Sequence, residues 1–447
     1  MHVDFLLERF ERAADAPALI HRDQVSNFAW LHAEVHQMRS TLVARGIPRG
    51  AVVSVEADFS PRATALLLAL MDHAAIIVPL TSSVEEKKPE FRAIAEVGYR
   101  VEIDQQDEVR VHDSGVAASH ELIRRLQQLE HPGLVLFSSG STGKSKAALH
   151  DIVPMLEKFR VPRHSLRTIT FLLFDHIGGF NTLLYNLSNA GCIVTVADRR
   201  PETICRAIER HRVELLPTSP TFLNLLLVSE EYRRFDLSSL KMITYGTEVM
   251  PESTLRRFHA AFPDVNLLQT YGLSEVGILR SKSKAADSLW VKVGGEGFET
   301  RVVDGMLEIK ARSAMLGYLN HPSPFTVDGW FKTGDAVEVD GEYLRILGRK
   351  SELINVGGEK VYPAEVESVL QLMEGVEDVA VTGQPHPMTG QIVHARVKLS
   401  TDEDLPGFRT RMRQFCQDKL ARFAIPQKVE IVTESLHGER FKKMRRL

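Results

Sequence analysis

Apolar and polar positions alternate with two different periods along this chain. FLLERFERAA and WLHAEVHQMRSTLVARG place their apolar residues on one side at helical spacing, so the segment from Asp4 to about Gly50 reads as helical. AVVSVEAD, AAIIVPL and VEI are compact β-type runs, and the apolar stretch PRATALLLALMDHA between the first two reads as a helix. The alternation continues through LVLF, TITFLLF, CIVTVA, VELLPTS, MITYG and NLLQTYG. That order predicts an α/β architecture with largely parallel, buried sheets. From about Val291 the texture changes: TRVVDGMLEIKA and AVEVDGEYLRILG alternate strictly around Asp-Gly turns, which predicts antiparallel β-structure. After Arg349 comes a last unit. AEVESVLQLM and LPGFRTRMRQFCQDKLARF read as helices, and VEDVAVTGQP, IVHARVKL and KVEIV as strands. It forms a small α+β domain of about a hundred residues, a usual domain size. The expected division is 1–349, a connector at 350–352, and 353–447.

With 447 residues the chain exceeds one core of usual size, in keeping with that division. Its 44% hydrophobic and 25% charged content is ordinary for a globular protein, and a net charge of −3 gives no sign of a nucleic-acid binder. Charges interrupt the apolar VDFLL near the start, unlike a signal peptide, and ALLLALM and AAIIVPL are too short to span a bilayer. Cys192, Cys205 and Cys416 lack metal-ligand spacing and read as inert thiols of a reducing compartment. A cytoplasmic protein is the expectation.

Chemistry concentrates in a few segments. The strand LVLF runs into 138–146, SSGSTGKSK, where small residues let backbone N–H groups close on an anion, hydroxyls add donors and Lys adds charge. A Walker A loop would need Gly at 138, and Ser138 stands there. QTYGLSE at 269–275 is a turn carrying the carboxylate of Glu275. The stretch 333–367, TGDAVEVDGEYLRILGRKSELINVGGEKVYPAEVE, reads as a strand meander, a short connector and the start of a new αβ unit.

Together these segments resemble the adenylate-forming superfamily of acyl-CoA synthetases, peptide-synthetase adenylation domains and luciferases, in order and over nearly the whole chain. The resemblance implies a large N-terminal domain of αβ-layered sheets with a small β-subdomain, and a small mobile C-terminal α+β domain. It implies phosphate binding by Ser138, Ser139, Gly140, Ser141, Thr142, Gly143 and Lys146, with Ser141 and Ser145 replacing the usual Thr and Pro. YGTEVMP at 245–251 matches a segment lining adenine and the acyl pocket, which assigns Gly246, Thr247 and Glu248. Thr270, Tyr271, Gly272 and Ser274 match nucleotide-binding positions, and Glu275 matches the Mg²⁺ partner. Asp335 maps to the ribose-binding Asp and Arg349 to an Arg on ribose or phosphate.

In DHIGGFNT at 175–182, His176 matches a His near the substrate carboxylate. Asp175 beside it is the residue type that amino-acid-activating relatives use for a substrate ammonium, but the His-to-Gly spacing favours a plain carboxylic acid. Thr218 and Phe222, with Gly246 and Gly272 across from them, would shape the acyl site. Ser351 stands at the hinge, where Asp or Lys is usual. Gly357, Gly358 and Lys360 match the loop lining a pantetheine tunnel. The tail HGERFKKMRRL offers Lys442 as the mobile catalytic lysine of a Lys-x-x-Arg pattern, with Phe441 in place of the usual Gly and Lys443 as the competing assignment. Lys442, Lys146, His176 and Glu275 would be the catalytic set.

The implied reaction is ATP- and Mg²⁺-dependent formation of an acyl-adenylate from a small carboxylic acid, then acyl transfer. The acceptor is a thiol (CoA or carrier-protein pantetheine); an amine such as an amino acid is the alternative, and a non-catalytic nucleotide or acyl-AMP binder a third reading.

Overall fold

The computed structural model describes residues 2–139, 145–438 and 440–445. Two seven-stranded sheets carry most of the first 280 residues. In the first, the strands run Asn266–Gln269, Met242–Tyr245, Leu215–Thr218, Thr168–Ile169, Ile193–Val194, Pro17–His21 and Gln24–Asn27, every neighbour parallel except the last pair. The second runs Gly317–Tyr318, Ser145–Asp151, Gly133–Ser139, Ile76–Leu80, Val52–Glu56, Tyr99–Ile103 and Val109–Asp113, parallel in the middle and antiparallel at both margins. The α/β expectation therefore holds.

A continuous apolar cluster joins these sheets through helices Asp4–Arg12, Phe28–Ala44, Pro61–Asp72 and Ile177–Ser188. Helix Pro61–Asp72 shows why its sequence forms it. Ser60 caps it by accepting from the Ala63 N–H at 3.1 Å, Pro61 fits the first turn, and almost every residue after it is buried. A helix that is apolar all round belongs inside.

A six-stranded antiparallel sheet follows, ordered Arg280–Ser283, Trp290–Gly294, Tyr343–Arg349, Phe331–Asp340, Met306–Ala311 and Phe298–Val303. Its Asp304-Gly305 turn has both residues at positive φ (51° and 73°), the mirror-image turn that matches strand twist. The last sheet, built between Ile354 and Ile431, has its own apolar cluster, with helices Pro363–Leu370 and Leu405–Cys416 packed on it.

Local departures from the sequence reading have identifiable causes. The N-terminal segment is not continuously helical. Pro17–His21 and Gln24–Asn27 form a hairpin that extends the first sheet, turning at Arg22 (φ 50°) and Asp23 (φ 66°). Arg-Asp at a turn that favours Asn-Gly conceals it. TITFLLF and CIVTVA contribute only Thr168–Ile169 and Ile193–Val194 as strand; beyond Ile169 the chain leaves the sheet to deliver Asp175 and His176 to a helix start. The last long helix ends at Cys416, short of the pattern's Phe423. All three cysteines are free and buried, and burial pushes their thiols up to about 11, 12 and 11 in chain order, as inert thiols require.

Candidate active site

Parallel strands Leu215–Thr218, Met242–Tyr245 and Asn266–Gln269 lie in register, so their carboxyl ends fall together. The residues at or just after those ends are Thr218, Gly246 and Thr270. Such a crevice is where open α/β sheets bind ligands. The chains approach closely here: a Cβ on Gly246 would meet Thr270 Oγ1 at 2.6 Å and the Thr270 carbonyl oxygen at 2.8 Å. One on Gly272 would meet Ile278 Cδ1 at 2.4 Å. Thr247 holds φ +74°, a conformation that β-branched residues avoid and that concentrates at functional sites. Thr218 Oγ1 is buried without a hydrogen-bond partner among the described residues.

One group gathers around Glu275. Its Oε1 accepts from the Tyr318 hydroxyl at 2.6 Å, and the Lys146 ammonium lies over the Tyr318 ring, 5.4 Å from its centre. Burial, reinforced by Glu275, raises the Tyr318 phenol, so it stays a donor. Lys146 belongs to Ser145–Asp151, which pairs antiparallel with Gly133–Ser139, and Ser138 lies opposite Lys146. A strand therefore follows the Ser/Gly segment, not the helix a Walker A loop requires. Gly140, Ser141, Thr142 and Gly143 lie outside the described residues, as does the side chain of Ser139.

A second group is Asp335, Tyr271 and Arg349. Asp335 and Arg349 face each other across paired strands, with Arg349 Nε 3.3 Å from Asp335 Oδ1, and the Tyr271 hydroxyl donates to Oδ2. Asp335 is 6% exposed. Burial raises its carboxyl, with Arg349 and Tyr271 opposing, while burial and Asp335 lift the Tyr271 phenol well above its ordinary value.

The third group comes from the tail. Residues 436–438 and 440–444 pair as a small hairpin, with Gly438 N–H donating to the Lys442 carbonyl and Met444 N–H to that of Leu436. It docks on the first 349 residues. Arg440 pairs with Asp175 at 2.9 Å, the Phe441 carbonyl accepts from Ser219 Oγ at 2.8 Å, and Lys443 N–H donates to Glu248 Oε2 at 3.1 Å. Phe441 has φ +51° and packs its ring against Phe171, Phe222 and His437. Phe222 is thus fully buried in an aromatic cluster.

The two neighbouring lysines part company. Lys443 is bound to Asp378 and the Val379 carbonyl within the C-terminal unit, its side chain 5% exposed. Lys442 instead feels Glu248, Arg440 and Arg349, and His176 feels Lys442. Burial pushes the Lys442 ammonium down to about 8, Glu248 opposing and the two arginines adding to it. His176 caps helix Ile177–Ser188, its Nδ1 accepting from Gly178 N–H at 3.1 Å. Burial, then Lys442 and Arg440, hold it well below its ordinary value, so the ring is neutral near pH 7.

Asp175 is 4% exposed, and its Oδ2 is taken by Thr81 Oγ1 (2.7 Å), Ser83 Oγ (3.4 Å) and Arg440. That arrangement leaves it committed to the fold and the tail. Ser351 is exposed in the short turn Lys350–Glu352. The adjacent Glu352 accepts from Arg445 at 2.8 Å, and Arg445 also grips Glu367 with two nitrogens at 3.0 and 2.7 Å. Gly357, Gly358 and Lys360 lie apart, exposed on the hairpin of Ile354–Val356 and Glu359–Val361. Tyr318, Thr81, Arg440 and Glu367 have no counterpart in the motif reading. Tyr318 enters through the pairing of Gly317–Tyr318 with Ser145–Asp151, a long-range contact with no local sign.

The described residues hold no group of three or more His, Cys, Asp or Glu suited to a metal. A single carboxylate beside polyphosphate oxygens suffices for Mg²⁺, and Glu275, with one oxygen engaged by Tyr318, fits that donor set.

Comparison with known proteins agrees with this geometry. A family model described as AMP-binding enzyme matches residues 6–308, and one described as AMP-binding enzyme C-terminal domain matches 365–442. The chain is 31% identical to an indoleacetate–CoA ligase of Aromatoleum aromaticum over 68% of this chain and 64% of that protein. It is 27% identical to a 2-succinylbenzoate–CoA ligase of Bacillus subtilis, over 95% and 93%. The chain spans only 61–64% of three of its relatives. In fold it is similar to the anthranilate CoA ligase AuaEII (TM-score 0.80, 20% identity, 99% of this chain and 95% of that one). The amide bond synthetase McbA of Marinactinospora thermotolerans is similar too (TM-score 0.79, 22% identity, 100% and 98%). With a match over residues 6–308 and a structure assembling the same motifs, this chain belongs to the AMP-binding enzyme family.

Proposed function

We propose that the protein is an ATP-dependent carboxylate ligase that forms an acyl-adenylate and passes the acyl group to a thiol, CoA or a carrier-protein pantetheine. The observation that carries this reading is the docking of the tail at the carboxyl ends of parallel strands, where the Phe441 carbonyl accepts from Ser219 Oγ and Lys443 N–H donates to Glu248 Oε2 on either side of Lys442. The CoA ligases among its relatives support a thiol acceptor.

A carboxylate oxygen of the acid attacks the α-phosphorus of ATP, the bond to the β-phosphate breaks, and pyrophosphate leaves. Lys442 and Lys146 offset the negative charge that gathers on the phosphates, so catalysis is chiefly positioning and electrostatics. Asp335 holds the ribose hydroxyls and Arg349 the ribose or phosphate, with Ser138, Ser139, Gly140, Ser141, Thr142 and Gly143 on the polyphosphate. Gly246, Thr247, Glu248, Thr270, Tyr271, Gly272 and Ser274 line the nucleotide, and neutral His176 stands at the acid's entrance. Mg²⁺, held by Glu275 when bound with ATP, supplies charge neutralisation on the phosphate oxygens. In the second step the thiol sulfur attacks the acyl carbonyl, a thioester forms and AMP departs. For that step residues 353–447 turn about 350–352 and bring Gly357, Gly358 and Lys360 to the cleft.

The test is pyrophosphate release across a panel of acids with no acceptor, with CoA, and with an amino-acid mixture, products read by mass. Acyl-CoA is the expected product. An N-acyl amino acid would replace the thiol by an amine, and pyrophosphate with neither product would point to a carrier protein. No pyrophosphate with any acid would overturn acid activation.

A further inference from the structure

Beyond His176 and Glu275 lies a cavity of about 90 Å³. Its lining includes Lys158, Arg163, Asn181, Tyr185, Ile278 and Arg280, and no Asp or Glu among the described residues. Three cations face one space there, and neither guanidinium has a carboxylate partner among the described residues. The Lys158 ammonium donates to the Ile278 carbonyl oxygen at 3.1 Å. Burial, with Arg163 and Arg280 adding, pushes it down to about 7, and no acid opposes them. Asn181 presents a buried amide oxygen without a hydrogen-bond partner among the described residues, and turning that amide over would offer N–H donors to the same space. Lys158 is buried and the two guanidiniums are exposed at the mouth, so a buried ammonium faces like charges with no counter-charge, a costly arrangement that an anion bridging all three would offset. At roughly 10–15 Å³ for each water, the space accommodates a carboxylate, sulfonate or phosphate group.

Two elements of the site run on into the lining of this cavity. Asn181 and Tyr185 stand five and nine residues after His176, on the helix it caps, and Ile278 and Arg280 follow Glu275 by three and five. That helix packs on strand Gly277–Ile278. At 1.5 Å per residue the cavity begins about 7 Å beyond His176 and reaches about 14 Å.

We infer that this cavity receives a second anionic group of the acid substrate, so that the enzyme selects acids charged at both ends. The inference rests on the acid-activation reading and narrows it to a substrate class. The carboxylate near His176 reacts, while the distal anion, held by Lys158, Arg163 and Arg280, fixes how far the acyl chain enters.

The experiment compares linear and aryl-containing dicarboxylic acids with their monomethyl esters, by pyrophosphate release and by thermal shift, in wild type, Lys158→Met and Arg163→Gln. Arg163 is exposed, so its variant keeps the test valid if Lys158→Met fails to fold. Expected is a preference of tenfold or more in kcat/KM for a diacid over its ester, shrinking to within twofold in either variant, with the thermal shift following suit. Equal use of diacid and ester by wild type would overturn the inference, as would a preference that survives both substitutions. Inorganic phosphate competing with the diacid but not the ester would support it. Phosphate stimulating the ester would overturn it, making the cavity a free-anion site. If no acid releases pyrophosphate, acid activation fails, and the diacid's thermal shift still decides whether the cavity binds the second anion.

Discussion

Residues 440–445 and residues 354–361 belong to the same C-terminal unit, yet only the first set touches the cleft. The tail reaches Asp175 through Arg440, Ser219 through the Phe441 carbonyl, and Glu248 through Lys443 N–H. The Gly-Gly hairpin keeps to its own unit: Gly357 N–H donates to the Thr389 carbonyl and Gly358 N–H to Asn355 Oδ1, with 357–360 exposed. A rigid unit presents one edge at a time. If the tail serves acid activation and the hairpin acyl transfer, the two steps need different placements of one body. On the proposed reading, the tail contacts seen here correspond to the first of them. The tail is also fastened from behind, where Arg445 ties Glu367 and Glu352 together. Burial alone would raise the Glu367 carboxyl, but Arg445 overrides it and keeps it ionised.

The largest break in this comparison should come from Lys442→Ala. Pyrophosphate release should fall roughly 10²- to 10³-fold, the scale of losing one preorganised charge-stabilising group. Acyl transfer from preformed acyl-adenylate should stay within a few-fold of wild type. Gly358→Ala should do the reverse, because φ +98° strains any residue with a Cβ at the hairpin tip. Lys443→Ala should act on folding: it leaves Asp378 buried and unpaired, a loss of about 3–5 kcal/mol readable as a lowered Tm. Full adenylation by Lys442→Ala would remove that residue from the mechanism.

Next in size is Asp335→Asn. The acceptor that faces Arg349 and Tyr271 loses its charge, and charge-assisted hydrogen bonds are worth about 1.5–3 kcal/mol. The KM for ATP should rise roughly 10- to 100-fold, with the KM for the acid little changed. An unaltered ATP dependence would sink the ribose role.

The pH profile separates the tail's lysine from its surroundings. In the free enzyme the Lys442 ammonium is lowered to about 8, so it is charged below that pH and neutral above. kcat/KM for ATP should hold between pH 7 and 8, then fall up to tenfold per unit as the proton leaves. Lys442→Ala should flatten that limb. His176, already neutral, contributes no rise near pH 6.5.

The parts of this architecture that were legible in the sequence are those written locally. Asp304-Gly305 announces its turn, Ser60-Pro61 its helix start, and the apolar runs their buried strands. The motifs singled out Asp335, Arg349, Glu275 and Lys146, because each stands within a short, chemically dense segment, and the fold sets Asp335 beside Arg349 and both Glu275 and Lys146 against Tyr318. What stayed hidden depends on distant pairing. Tyr318 meets Glu275 across 43 positions, Thr81 meets Asp175 across 94, and Arg440 meets Asp175 across 265. Periodicity carries no information about such contacts. The choice between Lys442 and Lys443 was equally out of reach, since it turns on which ammonium finds Asp378.

The smallest effect tests the oddest residue of the tail. Phe441 occupies a left-handed conformation that costs a residue with a Cβ about 1–2 kcal/mol, and glycine would relieve it. Its ring, however, packs on Phe171, Phe222 and His437, with the Arg199 guanidinium 5.5 Å from the ring centre. Burying such a ring contributes about 1.5–3 kcal/mol. Phe441→Gly therefore exchanges two terms of similar size, and the net loss of docking should be about 1 kcal/mol, a few-fold in adenylation rate. Phe441→Ala loses the ring and keeps the strain, so it should be the more damaging of the two. Adenylation with Gly above Ala and both below Phe would show that the ring anchors the tail. Gly equal to or above wild type would mean that the ring adds nothing, and that Arg440, the Ser219 contact and the Lys443 N–H bond to Glu248 hold the tail in the cleft without it.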